Sequence, residues 1–312
     1  MREATVTQTA VPTQAVPFRF FPVQVARTEQ LSPNFLRVTF TGDELIHFAD
    51  NGWDQRIKLI PPLADSGFEH LPTGEDWYLR WRELPDEKRN PIRTYTIRDV
   101  RAADREIDVD MVLHGVNGPA SRWAVDAVPG SLMTVLGPNA EFDGPSGGID
   151  FHPPAGTRRI LLVGDETAVP AIASILARLP QDAVGHALLE VPESADELAI
   201  VAPPNFTVTW LPRDGEAHGV KVIPAVREVA TKLLGDCVAP VSAPVLEDVD
   251  IDEGILWEVP EESAGAPDGF YAWLAGEAGV IKTLRRHLVS ECGVDRRAVA
   301  FMGYWRLGRA ES

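Results

Sequence analysis

Apolar and polar residues alternate in short runs through the first part of the chain. The runs are Val23-Gln24-Val25-Ala26-Arg27, Leu36-Arg37-Val38-Thr39-Phe40, Arg56-Ile57-Lys58-Leu59-Ile60, residues 90–98, residues 107–114 and Leu132-Met133-Thr134-Val135-Leu136. A period of two marks a strand with one buried face. Six such runs, separated by turn residues, predict a six-stranded antiparallel β-barrel over residues 18–142. Residues 143–157 are rich in glycine and proline and read as a linker. Beyond them the texture changes to strand then helix. Arg159-Ile160-Leu161-Leu162-Val163 is an apolar run of the kind a parallel sheet buries on both faces. An apolar helix follows over 168–179, with Pro170 in its first turn, where proline is tolerated. Further strands are expected at 186–191, 206–210 and 270–275, and further helices at 221–234 and 280–291. This alternation predicts a doubly wound α/β nucleotide-binding domain over 158–312, ending in a C-terminal extension. Residues 1–17 read as a flexible N-terminus. Residues 239–267 read as an acidic surface insertion with one short strand near 254–257.

A chain of 312 residues has room for one large or two ordinary domains with ample core. Its net charge of −17 argues against nucleic acid as the main partner, because phosphate recognition needs a basic footprint. No apolar run approaches the ~20 residues that span a bilayer, so no membrane insertion is expected. The N-terminus lacks an apolar signal core, and a cytoplasmic location is expected. The two cysteines, Cys237 and Cys292, are far apart and form no Cys-x-x-Cys pair. That spacing argues against a disulfide framework, a zinc site or an iron–sulfur cluster, and both thiols read as small hydrophobes. No resident metal is expected.

Candidate chemistry begins at Arg93-Thr94-Tyr95-Thr96. Strand alternation puts Arg93 and Tyr95 on one face and Thr96 on the other. A guanidinium fork beside an aromatic ring suits a ligand with both a phosphate and a flat ring, such as a flavin nucleotide. The same tetrapeptide also suits an ordinary strand with an exposed Arg–Tyr pair. Downstream, Gly118-Pro119-Ala120-Ser121 follows a strand, and Ser121 can cap a short helix whose first N–H groups point at an anion. The turn Gly164-Asp165-Glu166-Thr167 lies at a strand end, where ligand crevices of such sheets open. It is not a glycine-rich phosphate loop, and its two acids would repel a pyrophosphate. It reads as an active-site loop, as a helix N-cap, or as both. Ala275-Gly276-Glu277 sits at a second strand end before a helix.

Taken in order, Arg93-Thr94-Tyr95-Thr96, Val112-Leu113-His114-Gly115, residues 118–124, residues 163–172, Trp273-Leu274-Ala275-Gly276-Glu277 and residues 303–308 resemble the siderophore-interacting protein family. Its members are FAD-dependent ferric-siderophore reductases related to the ferredoxin reductases. The likeness runs over residues 18–309. It implies a ferredoxin-reductase-like, FAD-binding barrel followed by an NAD(P)H-binding domain. It implies FAD contacts from Arg93, Tyr95, Thr96, Asp110, Val112, His114, Ala120 and Ser121. It places Asp165, Thr167, Ala275, Gly276 and Glu277 beside the nicotinamide. Ala275 stands where ferredoxin reductases carry a cysteine, so no thiol acts there. Lys58 and Arg306 become the candidates for the siderophore pocket, each of which is equally well read as a solvated strand charge. After Leu136-Gly137-Pro138 the family often has a basic residue, whereas this chain has Asn139. That departure leans the expected substrate from anionic catecholates toward a neutral or cationic ferric hydroxamate.

The implied chemistry is hydride transfer from NADH or NADPH to FAD, then electron transfer to chelated Fe(III). Fe(II) binds hard oxygen ligands more weakly and is released. No catalytic protein acid or base is obligatory, because the cofactor carries the chemistry. Two other readings stand beside this one: a general NAD(P)H:flavin or ferredoxin-type oxidoreductase, and a siderophore-binding flavoprotein without turnover. Glu190, at the end of the second parallel strand, could hold ribose hydroxyls, and no arginine lies in 191–200 to receive a 2′-phosphate. This favours NADH, although Arg213 could supply that charge.

Overall fold

The computed structural model describes residues 15–113, 118–145, 147–234, 256–260 and 269–308. His114, Cys237 and most of the acidic insertion lie outside the described residues. The N-terminal part contains β1 (Phe18–Ser32), β2 (Phe35–Thr41), β3 (Arg56–Ile60), α1 (Trp77–Glu83), β4 (Arg93–Thr96), β5 (Asp99–Arg101), β6 (Glu106–Val112), α2 (Pro119–Asp126) and β7 (Leu132–Pro138). All neighbouring strands pair antiparallel in the order β4-β3-β7-β1-β2-β6-β5. The alternating residues do what their period requires. Phe21, Val23 and Val25 of β1, Val38 and Phe40 of β2, Ile57 and Leu59 of β3 and Val109 and Met111 of β6 bury into one cluster. Such side chains contribute about 1.5–3 kcal/mol each when fully buried. The sheet therefore curls round its own core. It has seven strands where the sequence predicts six, and its pairing stays open between β4 and β5. The additional strand, β5, is Asp-Val-Arg, too short and polar to show a period. Helix α1 is also unanticipated; it buries no residue fully and meets the sheet through Trp77, edge-on to Phe20 at 5.2 Å.

The C-terminal part contains β8 (Arg159–Gly164), α3 (Val169–Arg178), β9 (Val184–Val191), β10 (Asn205–Pro212), α4 (Val222–Leu234), β11 (Trp257–Glu258), β12 (Phe270–Glu277), α5 (Ala278–Arg285) and β13 (Val299–Trp305). The strand order is β10-β9-β8-β12-β13-β11, parallel except for the antiparallel β11. Consecutive residues of β8 serve the two faces. Leu162 packs with Ile172 and Ile175 of α3, while Leu161 and Val163 pack with Val226 of α4 and Leu284 of α5. This is the doubly wound arrangement. Strand β13 is absent from the periodicity, because Val-Ala-Phe-Met-Gly has neither alternation nor flanking turn signals. Cys292 is disulfide-bonded, which corrects its reading as a free small hydrophobe.

The two parts share an apolar and hydrogen-bonded contact. Phe35 and Val112 of the first and Phe151 of the linker join the core cluster of the second. Asp196 accepts from Ser32 Oγ at 2.6 Å and from the Asn34 backbone N–H at 3.0 Å. Buried Asp54 accepts from the Asp150 and Phe151 N–H groups and from Trp273 Nε1. Among the described residues no helix is long and apolar enough to cross a membrane.

Candidate functional site

The carboxyl ends of β8, β12 and β13 meet at one carboxylate. Ala275 pairs with Gly164, and Trp305 pairs with Glu277 across a register shift after Gly276. Asp165, the first residue after β8, is 6 % exposed. Its Oδ1 accepts from the Thr167 N–H at 2.9 Å and the Thr167 hydroxyl at 2.5 Å. Its Oδ2 accepts from the Glu277 N–H at 2.8 Å and from the Trp305 indole N–H at 2.8 Å. Burial and the neighbouring Glu166 push its pKa up to about 7. Gly276 permits this approach: its φ is +149°, and a Cβ there would come within 2.7 Å of Asp165 Oδ2. The structure thus brings together Asp165, Thr167, Ala275, Gly276 and Glu277, the five residues expected beside the nicotinamide.

Behind this point lies a buried ionic layer. Arg213 binds both oxygens of Glu166, at 2.7 and 2.8 Å, and lies 3.7 Å from Glu190. Glu190 accepts from the backbone N–H groups of Gly219, Lys221 and Val222 and so caps α4. Neither Glu190 nor Arg213 is placed as the sequence reading supposed. One is buried as a helix cap and the other as a bidentate partner, so neither encodes a choice between NADH and NADPH. His218 meets the Trp305 ring edge-on at 4.8 Å, and burial lowers its pKa. Asp165, Glu166 and His218 offer ligand atoms within 4.8 Å of one another, yet both Glu166 oxygens are held by Arg213. Sequence reasoning missed Trp305 and His218 as site residues. Trp305 lies in the 303–308 run that carries the family resemblance, of which only Arg306 was singled out, and His218 carries no signal.

In the first domain, Arg93 and Tyr95 lie opposite Leu59 and Ile57, so they share the inward sheet face. Tyr95 packs against the core beside Leu113 and Trp123, and Ala120 of α2 buries in the same cluster. Thr96 is buried, and the Arg93 guanidinium donates to the Ile92 carbonyl at 2.8 Å. Helix α2 starts three residues earlier than a Ser121 cap would place it. Its N-cap is Gly118, and Ser121 lies inside the first turn instead of capping it. Proline at the first helical position supplies the φ a helix start needs and leaves no N–H there to be satisfied. Asp110 accepts two hydrogen bonds from Arg37, at 2.7 and 2.9 Å, with Arg98 at 3.7 Å. These two arginines and Asp110 line a cleft of about 280 Å³ against Val169 and Pro170 of α3.

Lys58 is exposed between buried Ile57 and Leu59, as alternation requires, and its Nζ donates to Thr94 Oγ1 at 2.6 Å. Arg306 directly follows Trp305 and is half-buried. Asn139 is buried; it donates to the Val16 carbonyl and accepts from the Glu141 N–H. It holds a turn, so the missing charge there gives no support to a hydroxamate preference.

Comparison with known proteins finds relatives over most of the chain. Residues 24–142 match the model of a siderophore-interacting FAD-binding domain. Residues 157–308 match that of a siderophore-interacting protein. The ferric vibriobactin reductase ViuB of Vibrio cholerae is 30 % identical over 94 % of this chain and 92 % of its own length. The crystal structure of a siderophore utilization protein from T. fusca is 27 % identical, with TM-score 0.68 over 95 % of both chains. The ferredoxin reductase of carbazole 1,9a-dioxygenase, 14 % identical, shares the fold at TM-score 0.56 over 93 % of this chain and 71 % of its own.

Proposed function

The chain belongs to the siderophore-interacting protein family, and from that premise we propose that it is a ferric-siderophore reductase using FAD and a nicotinamide nucleotide. The observation that carries this reading is the convergence of residues 164–167, 275–277 and 305 at the carboxyl edge of a parallel sheet, behind an FAD-binding domain.

The residues of the first domain fit a flavin nucleotide. Arg93 supplies a guanidinium for phosphate oxygens and Tyr95 a half-buried ring. Among the described residues, a Cβ on Gly118, at the start of α2, would meet nothing within 4 Å. Ala120 and Ser121 follow Gly118 in the first turn of α2. Asp110 fixes Arg37 and Arg98 at the interdomain cleft. FAD supplies the capacity to take a hydride from the nicotinamide and to deliver electrons singly to iron. This chain's residues bind and orient. Thr167, Gly276 and Glu277 shape the crevice where the nicotinamide would enter. Lys58 gives a short-range positive charge for an anionic ferric chelate, with Arg306 as a second contributor. Iron enters as the substrate's cargo.

The test is the visible spectrum of the purified protein, followed by anaerobic mixing with NADH and with NADPH. Bleaching of bound flavin, and its reoxidation by a ferric siderophore faster than by free flavin, is the expected result. Flavin that stays oxidised with both nucleotides refutes the reductase reading. Equal rates with ferricyanide, free flavin and ferric chelates would instead indicate a general oxidoreductase.

A further inference from the structure

Asp165 has no acceptor capacity left for a nucleotide. A carboxylate offers about four lone-pair sites, and here four donors fill them: the Thr167 N–H and hydroxyl, the Glu277 N–H and the Trp305 indole. Only two of those donors lie on its own turn. The other two tie the ends of β12 and β13 to it. Glu277 extends the same tie: its Oε2 accepts from the Val280 N–H at 2.9 Å, and its Oε1 accepts from the Leu307 N–H at 3.3 Å. The segment 305–307 is therefore held by one acid through its indole and by a second through its backbone. The ring held in this way stands at the carboxyl edge of the sheet, against His218, where ligand crevices of parallel sheets open.

We propose that Asp165 is a positioning residue that latches Trp305, and with it residues 305–307, at the mouth of the nicotinamide crevice, and acts on the nucleotide through that indole. This rests on the reading that the crevice receives a nicotinamide nucleotide. Substituting Asn keeps the size of Asp165 but replaces one acceptor oxygen with an NH₂ donor. It cannot accept from both Oδ2 partners and both Oδ1 partners at once. Substituting Phe for Trp305 keeps an aromatic ring and deletes the N–H alone.

The experiment uses the FAD-loaded protein labelled with ¹⁵N at the indoles, at about pH 8, above the raised pKa of Asp165, where the group is an ionised acceptor. The resonance missing from Trp305→Phe assigns Trp305. In Asp165→Asn that resonance should shift, and amide exchange over residues 303–308 should accelerate roughly tenfold or more, as the loss of a hydrogen bond to a charged group implies. Binding is read by flavin difference spectra with the non-reducing tetrahydro analogues of NADH and NADPH. Each single variant should weaken binding by about tenfold, and the double variant no further, because both remove one interaction. Weakened binding in Asp165→Asn with the Trp305 resonance unmoved would overturn the proposal, as would additive losses or a broken latch with unchanged binding. If Asp165→Asn does not fold, Trp305→Phe alone decides, and unchanged binding in it refutes the latch. If the wild type binds neither analogue, the crevice reading has failed. The tie between Asp165 and Trp305 is then still judged by the resonance and the exchange rates.

Discussion

Lys58 and Arg93 stand on opposite faces of the same two-stranded ribbon. Lys58 pairs with Thr94 and donates to its hydroxyl at 2.6 Å, whereas Arg93 pairs with buried Leu59. The strand pleat therefore separates the group assigned to substrate from the group assigned to flavin phosphate, and their effects should separate too.

Arg93→Ala should weaken FAD binding by about tenfold or more, since a charge-assisted contact is worth ~1.5–3 kcal/mol. Lys58→Ala should keep its flavin. The flavin-to-protein absorbance ratio after gel filtration, with a titration of the stripped protein, measures both. Equal flavin loss in the two variants would contradict the separation.

Lys58→Ala should raise KM for an anionic ferric siderophore more than for a neutral ferric hydroxamate. The chain's charge of −17 repels anions at long range, so attraction must be local. The difference should shrink as salt is added, and flavin reduction by the nicotinamide nucleotide should not change. Steady-state KM values at low and high ionic strength check this.

The Glu166–Arg213 pair is buried and bidentate. Arg213→Met leaves an unpaired buried carboxylate and should cost about 3–5 kcal/mol, while Glu166→Gln combined with Arg213→Met should cost much less. Urea unfolding of the three proteins tests it. Because Arg213 is committed in this way, neither variant should change the ratio of KM values for NADH and NADPH selectively.

Asp165 also predicts a stability slope. Burial and Glu166 raise its folded pKa to about 7, well above the ordinary aspartate value of 3.8 that the unfolded chain keeps. Between those values the folded state holds more protons than the unfolded one, so this group makes stability fall as pH rises. Below that window both states are protonated, and above it the penalty is constant. Relative to Asp165→Asn, the wild type should lose stability from pH 4 to pH 7 (an interval of about three pH units) and then run parallel. A difference that does not change with pH would show that Asp165 titrates normally.

Local features of the fold were legible because they need only neighbours in sequence. Alternation around Ile57 and Leu59 placed Lys58 outward, and the apolar run ending at Val163 gave a central parallel strand. Strand β5 was hidden by its brevity, and β13 by its lack of alternation. Of the candidate site, the crevice residues were legible as strand-end turns. Their bonding was not, and Glu190, Arg213 and Asn139 each carry out a structural task that their position in sequence disguised.

The amino-acid order by itself determined the two textures, the linker between them and the family resemblance, since these follow from periods of a few residues and from ordered motifs. Tertiary structure alone decided what Asp165 holds. Its partners Glu277 and Trp305 lie 112 and 140 residues away, and hydrogen-bond saturation at such range depends on how β8, β12 and β13 are laid side by side. A buried carboxylate must find donors wherever packing brings them. That requirement, imposed by the assembled sheet, makes a crevice acid into a latch on residues 305–307.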